Sequence, residues 1–168
     1  MICHYLNMTN NLSIAISQRA EMARGFRVRQ RMGRSPRDVW AFLSDFENAP
    51  TWMAGVEQMT KVTPGPLAEG TRYTFRARGR ARETRVSAFE PGRMVALTSS
   101  QGGITATYTY KVRPDGDGSE VSLDAECSAA GLWVLLHPLI AVAMRRADSG
   151  QLARLAAVIE RKPAGERP

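Results

Sequence analysis

The chain has 168 residues, 43% of them hydrophobic and 23% charged, which suits one globular domain with a substantial core. Its two cysteines, Cys3 and Cys127, are too few and too far apart for a disulfide framework or a Cys-type zinc site, which favours a cytoplasmic protein. Arginine supplies most of the net charge of +7, because only three of the 23 basic residues are lysines. These arginines are spread along the chain rather than clustered among exposed aromatics, which argues against nucleic acid as a partner.

The two ends of the chain differ from the region between them. Residues 1–22 lack a positively charged n-region, and polar residues between Asn7 and Ser13 interrupt any apolar run, so the segment is not a convincing signal peptide. We predict an N-terminal extension over residues 1–22, disordered or loosely packed. A single domain follows over residues 23–162, and residues 163–168 form a disordered tail.

A strand and two short helices are predicted first. Phe26, Val28 and Gln30 alternate with arginines, as in a strand with one buried face. Ser35 is a good N-cap, and Pro36 fits the first turn of the helix that follows. The apolar face of that helix consists of Val39, Trp40, Phe42 and Leu43. Asp45, Asn48 and Pro50 then interrupt the helical period, so a second short helix is predicted before Trp52.

Alternation of polar and apolar residues predicts six further strands. They cover residues 56–62, 71–78, 82–89, 94–99, 104–112 and 121–127. Each has one polar and one apolar face, and the loops between them are short. This pattern indicates an antiparallel meander rather than a buried parallel sheet.

One hairpin, over residues 71–89, is rich in arginine. Its arginines are Arg72, Arg76, Arg78, Arg80, Arg82 and Arg85, and we predict that alternation places several of their guanidinium groups on one outer face. Such a face is usually solvated. It could also meet an acidic partner or an anionic membrane surface.

A long helix is predicted from Gly131 to about Arg161. Its first half, Leu132 to Met144, is apolar nearly all round but is shorter than the roughly 20 residues that span a bilayer, so a buried helix is favoured over an integral membrane segment. Pro138 should kink it. Its second half carries an amphipathic stripe of Leu152, Leu155, Ala156 and Ile159.

The region after the first strand resembles a known superfamily. The capping pair Ser35-Pro36, followed by V-W-x-x-L-x-D-x-E-N-x-P-x-W, resembles the START-like SRPBCC proteins, in the branch named after polyketide cyclases and dehydrases. The resemblance covers roughly Gly25 to Arg161. It implies an α+β helix-grip fold, in which an antiparallel sheet wraps around a long C-terminal helix and leaves an apolar cavity. It does not by itself imply a reaction, because fold does not determine function.

Residues that could carry chemistry are few. The sequence has no metal-ligand spacing and no nucleotide-binding or nucleophile motif, so no metal, cofactor or catalytic set is predicted. His137 could serve as an acid, a base or a ligand anchor, but no partner acid can be assigned to it. Asp45 and Glu47 suit helix capping, and Asp124 and Glu126 should share the outer face of the last strand.

The leading hypothesis is a protein that binds a hydrophobic small molecule, a lipid or a polyketide-like aromatic, in this cavity. The predicted lining consists of Trp52, Tyr73, Phe75, Tyr108, Tyr110, Trp133, Leu136, His137 and Met144. A polyketide-type cyclase or dehydratase that uses the same cavity is the alternative, and a membrane- or protein-interaction module is the second alternative. We also expect Trp40 to hold the first helix in the core, and Trp52 to border the cavity mouth.

Overall fold

The computed structural model describes residues 24–129, 142, 145–146 and 150–161. The elements with defined bounds in these ranges are seven strands, two α-helices and one 3₁₀ helix, and residues 142, 145 and 146 are also helical. The strands are β1 (Arg24–Met32), β2 (Val56–Lys61), β3 (Arg72–Ala77), β4 (Arg80–Glu90), β5 (Met94–Gln101), β6 (Ile104–Asp115) and β7 (Gly118–Ala129). The helices are α1 (Pro36–Leu43), the 3₁₀ helix (Phe46–Thr51) and α2 (Gln151–Arg161).

All seven strands belong to one antiparallel sheet, in the order β1-β7-β6-β5-β4-β3-β2. Strands β2 to β7 form a meander, and β1 pairs with β7 at the far edge, from Arg24 opposite Cys127 to Met32 opposite Ser119. The prediction of an antiparallel meander is confirmed. Because side chains alternate along each strand, one face of the sheet meets the helices and the other faces outward.

The two helices after β1 begin at the residues predicted to cap them. The Ser35 hydroxyl accepts a hydrogen bond from the Asp38 N–H at 3.2 Å, and Pro36 occupies the first helical position. The Asp45 carboxylate caps the 3₁₀ helix by accepting from the Glu47 N–H at 3.2 Å. Both acidic residues of this segment, Asp45 and Glu47, therefore have a capping or first-turn position.

The core lies between the inner face of the sheet and the helices. Its center is aromatic: Phe46 meets Tyr73 edge-on with ring centroids 5.6 Å apart, and Trp52 meets Tyr110 in the same way at 5.6 Å. The predicted stripe of α2 is buried against this core, as Leu152, Leu155, Ala156 and Ile159. Residues 130–141 of the predicted long helix, with Pro138, lie outside the described residues. Val142, Arg145 and Arg146 are helical, but Gly150 is in a turn, so the last helical segment begins at Gln151 rather than continuing unbroken. Among the described residues, no helix is both long enough and apolar enough to cross a membrane.

The prediction of an outer arginine face holds for Arg72, Arg76 and Arg85 but is wrong for Arg80 and Arg82. Arg72 and Arg85 pair in register on the outer face, whereas Arg82 pairs with Phe75 and Arg80 with Ala77 on the inner face. Because a two-residue turn joins β3 to β4, each odd-numbered residue of one strand pairs with an even-numbered residue of the other. Even-numbered side chains therefore point outward on β3 and inward on β4.

The expected burial of the two tryptophans is also reversed. Trp52 is only 1% exposed and belongs to the core, whereas Trp40 is half-buried, with its ring centroid 6.0 Å from that of Phe89. Trp52 follows the 3₁₀ helix, whose turn directs the indole beneath the sheet rather than toward solvent. Helical periodicity around Trp40 indicated an apolar face, but not how deeply each member would be buried.

Candidate functional site

A cavity of about 750 Å³ lies against the inner face of strands β3 to β6. The segment after the 3₁₀ helix and the first residue of α2 close it from the other side. Its apolar lining comprises Met53, Ala54, Val56, Met59, Phe75, Ala77, Leu97, Ile104 and Ala106. Its polar lining comprises Arg78, Arg80, Arg82, Thr84, Ser99, Gln101, Tyr108, Tyr110 and Gln151.

The sheet register determines which side chains meet in this cavity. Leu97 on β5 is opposite Tyr108 on β6, and Phe75 on β3 is opposite Arg82 on β4. Residues paired in this way share a face of the sheet, so alternate residues of four strands converge on one space. The antiparallel order also brings the β3–β4 and β5–β6 turns to the same end of the sheet, where the lining residues are exposed. That end forms the mouth.

The closed end of the cavity is built around Tyr110. This side chain is 1% exposed, and its hydroxyl donates a hydrogen bond of 2.9 Å to the Gln151 side-chain oxygen at the start of α2. The bond ties the helix to the sheet where the two elements meet beneath the cavity. Trp52 packs edge-on against the Tyr110 ring, and its Nε1 is buried without a hydrogen-bond partner among the described residues.

Tyr73 is buried in the core and is not among the residues that line the cavity. Burial, together with the negative charges of Asp45 and Glu47, raises the pKa of Tyr73 to about 12. The phenol therefore stays neutral in the physiological range. Its ring packs on Phe46, which fixes the 3₁₀ helix over the sheet.

The nine side chains predicted to bind a ligand have three different placements. Phe75, Tyr108 and Tyr110 line the cavity together. Trp52 and Tyr73 lie in the core next to it. Trp133, Leu136, His137 and Met144 are outside the described residues. Ligand binding by these nine side chains stays a prediction.

Sequence reasoning found Tyr108 and Tyr110 but missed the rest of the polar lining, above all Arg80 and Arg82. One signal could have found them: Val86 is an apolar even-numbered residue of the same strand, and side chains an even number of positions apart share a face. Thr84 and Ser99 were missed because polar residues were assigned to the outer face, whereas these two lie on the inner face among apolar neighbours. Gln151 was missed because it precedes the apolar stripe of α2.

Among the described residues, every charged side chain that lines the cavity is positive. Three arginines line it, and the described lining includes no Asp, Glu, His or Cys. Nor do three or more such side chains come together as a metal site anywhere in the part of the chain that the structure describes. Asp124 and Glu126 lie on the outer face, where Asp124 pairs with Arg27 and with Lys111 at 3.5 Å. The cavity thus combines an apolar body, neutral hydroxyls and cationic groups at its mouth.

Comparison with known families gives one extensive match. The model of the family described as polyketide cyclase / dehydrase and lipid transport matches residues 24–160. An uncharacterized protein of Mycobacterium tuberculosis is 33% identical over 104 residues, which cover 59% of this chain and 73% of that protein.

Several solved structures have the same helix-grip α+β fold. The Zhui aromatase/cyclase from a Streptomyces species has a TM-score of 0.70 at 13% identity and covers 85% of this chain and 98% of its own. The di-domain aromatase/cyclase StfQ of the steffimycin pathway has a TM-score of 0.68 at 16% identity and covers 90% of this chain, which spans 55% of StfQ. Truncated norcoclaurine synthase from Thalictrum flavum has a TM-score of 0.64 at 15% identity, and the match covers 86% of this chain and 98% of that protein. At these identities the likeness shows the fold alone.

Proposed function

Since this chain belongs to the polyketide cyclase / dehydrase and lipid transport family, we propose that it binds a hydrophobic small molecule, a lipid or a polyketide-like aromatic, in the cavity between sheet and α2. The observation that carries the proposal is the cavity itself. Its volume of about 750 Å³ falls within the range of small-molecule sites, roughly 300 to 1,000 Å³.

The lining supports an apolar ligand for a physical reason. Phe75, Leu97 and Ile104 present hydrocarbon surface that water solvates poorly, and covering such surface contributes roughly 25 cal/mol per Å². The hydroxyls of Thr84, Ser99 and Tyr108 stand between these groups. Those of Thr84 and Ser99 donate to backbone carbonyls and can accept a hydrogen bond from a polar atom of a ligand. Binding is therefore driven by burial, and orientation comes from a few hydrogen bonds.

A second candidate is a cyclase or dehydratase that acts in the same cavity. Two of the structurally similar proteins are aromatase/cyclases, and the cavity presents the Tyr108 hydroxyl beside an apolar wall. In this hypothesis the wall folds a flexible substrate so that reacting carbons approach each other, and a tyrosine transfers a proton. Both candidates use the same space, but only the second requires a proton donor or acceptor.

A cavity-filling variant tests binding directly. Ala106→Trp places an indole inside the cavity, so we expect it to abolish binding of a fluorescent apolar probe such as N-phenylnaphthylamine. Ala81→Trp is the matched control, because Ala81 is exposed and pairs with Arg76 on the outer face. Probe titration and native mass spectrometry provide the measurements. Equal probe binding by wild type and Ala106→Trp would contradict the proposal.

The enzyme hypothesis has a separate test. Tyr108→Phe keeps the apolar area and removes one hydroxyl, so the affinity for an apolar probe should change by less than about threefold. If Tyr108 transfers a proton, turnover of a polyketide-like substrate should fall by about 10² or more. Unchanged turnover would remove Tyr108 from the chemistry.

A further inference from the structure

Three arginines lie together at the mouth of the cavity. Arg80 and Arg82 are on the inner face of β4, with Cα atoms about 7 Å apart by strand geometry, and Arg78 lies in the preceding turn. All three are exposed, and the described ion pairs of the chain involve none of them. Three positive charges therefore converge on one opening.

The Glu57 carboxylate contacts this hairpin at the backbone of its turn and on its outer face. Glu57 accepts a hydrogen bond from the Gly79 N–H at 2.9 Å, and its other oxygen lies 3.9 Å from Nε of Arg76, which is on the outer face. Glu83 also faces outward, because it pairs with Thr74. The described residues thus give the mouth a positive potential, which an anionic group of a ligand would complement.

The backbone of Arg78 is an independent indication. Arg78 and Gly79 form the two-residue turn between β3 and β4, with φ of 51° and 71°. Such a turn favours Asn, Asp or Gly at its first position, because a larger side chain is disfavoured at positive φ. Arginine is disfavoured at this backbone conformation and lies at the edge of a cavity, which indicates a functional role for its side chain.

We infer that the ligand is amphipathic and anionic, with an apolar body in the cavity and a carboxylate or phosphate group held at the mouth by Arg78, Arg80 and Arg82. A guanidinium group presents paired N–H donors that match the oxygens of both anions, and the inner apolar wall accepts the rest of the molecule. This inference rests on the proposed binding function and defines the class of its ligand.

A set of four ligands with the same alkyl chain tests the charge preference. Dodecanoate, dodecyl phosphate, dodecanol and dodecylammonium are competed against the apolar probe, each below its critical micelle concentration. We expect both anions to bind about tenfold or more tightly than the alcohol, and the ammonium to bind most weakly. The tighter of the two anions identifies carboxylate or phosphate as the preferred group. The preference for anions should shrink at high salt, since the arginines are exposed.

Two double variants separate local charge from total charge. In Arg80→Gln with Arg82→Gln, dodecanoate affinity should fall about tenfold and dodecanol affinity should change by less than about twofold. Arg72→Gln with Arg85→Gln removes the same charge from the outer face of the same two strands and should leave both affinities unchanged. Arg78→Asn should weaken dodecanoate binding by about threefold with an equal or higher Tm, since asparagine suits the turn.

The outcomes distinguish this inference from the proposed function. If wild type binds the alcohol as tightly as the anions, or if the outer-face variant loses as much affinity as the inner-face variant, the inference is overturned while binding of apolar molecules stands. If neither the probe nor any of the four ligands binds, the proposed function fails and the inference fails with it.

Discussion

Trp52 is the largest side chain that the described core buries completely. It packs against Tyr110, which in turn holds α2 through Gln151, so its indole supports both the closed end of the cavity and the helix beside it. Trp40 lies at the other side of the helical segment and keeps part of its surface in solvent. Truncation of Trp52 should therefore leave a space in the core, whereas truncation of Trp40 removes a side chain that is already partly in solvent.

We expect Trp52→Ala to lower the free energy of unfolding by about 3 to 5 kcal/mol, because it leaves a large cavity in a packed region. Trp40→Ala should lower it by less, since the indole is only half-buried against Phe89. Urea unfolding of both variants provides the comparison. Equal losses, or a larger loss for Trp40→Ala, would mean that the burial of Trp52 does not govern stability.

Because of Tyr73, the free energy of unfolding should depend on pH in the alkaline range. Its pKa is about 12 in the folded protein and about 10 in an unfolded chain. A pKa raised by folding means that the contribution to stability is complete below pH 10 and is lost as the pH rises toward 12. Urea unfolding at several pH values should show this decline in wild type and a shallower one in Tyr73→Phe. An identical slope in both would assign the decline to other groups.

At the scale of elements, ion pairs on the outer face fasten the edge strand β1. Arg27 pairs with Asp124 on β7, and Arg31 pairs with Asp115 at the end of β6. Hydrogen bonds from these guanidinium groups hold the pKa of each carboxyl below its ordinary value, against the opposing effect of burial. Strand β1 therefore has charged contacts in addition to its backbone ladder with β7.

The sign of this effect predicts sensitivity to acid. A carboxyl pKa lowered by folding contributes stability above its unfolded value, near 4, and loses that contribution as the pH falls toward the folded value. Asp124→Asn should lower stability at pH 7 by less than about 1 kcal/mol and flatten its decline below pH 4. Glu126→Gln, on the same face of the same strand, is the control. If both variants keep the wild-type acid profile, the Arg27 pair does not contribute.

At the scale of the whole molecule, the sheet is complete from Arg24 onward. Strand β1 pairs with β7 along its full length, beginning with Arg24 opposite Cys127. The described lining of the cavity also lies entirely within residues 53–151. The extension predicted over residues 1–22 is thus not needed for any pairing that the structure describes.

Deletion of residues 1–22 should change the Tm by less than about 5 °C, because no described strand pairing is lost. Deletion of residues 1–28 removes half of β1 together with Arg27, and should lower the Tm by more than that. Thermal melting followed by circular dichroism compares the two. A large drop for the shorter deletion would show that the extension packs on the domain.

The sequence by itself determined the local features of this protein. Ser35 and Asp45 cap their helices through contacts within three residues, Pro36 occupies the first helical position, and alternation predicted the inner face of β6 with Tyr108 and Tyr110. Such features depend on neighbours in the chain, so a pattern of residues is enough to predict them. The family resemblance added the arrangement of sheet and helix around a cavity.

Only the tertiary structure decided what lies inside the cavity. The pairing of Arg80 with Ala77 turned a presumed outer arginine toward the mouth, and the burial of Trp52 rather than Trp40 followed from where the 3₁₀ helix meets the sheet. Both outcomes depend on how distant segments are placed against each other, and a cavity is the space that such packing leaves unfilled. The spacing of residues along the chain does not show how those distant segments pack.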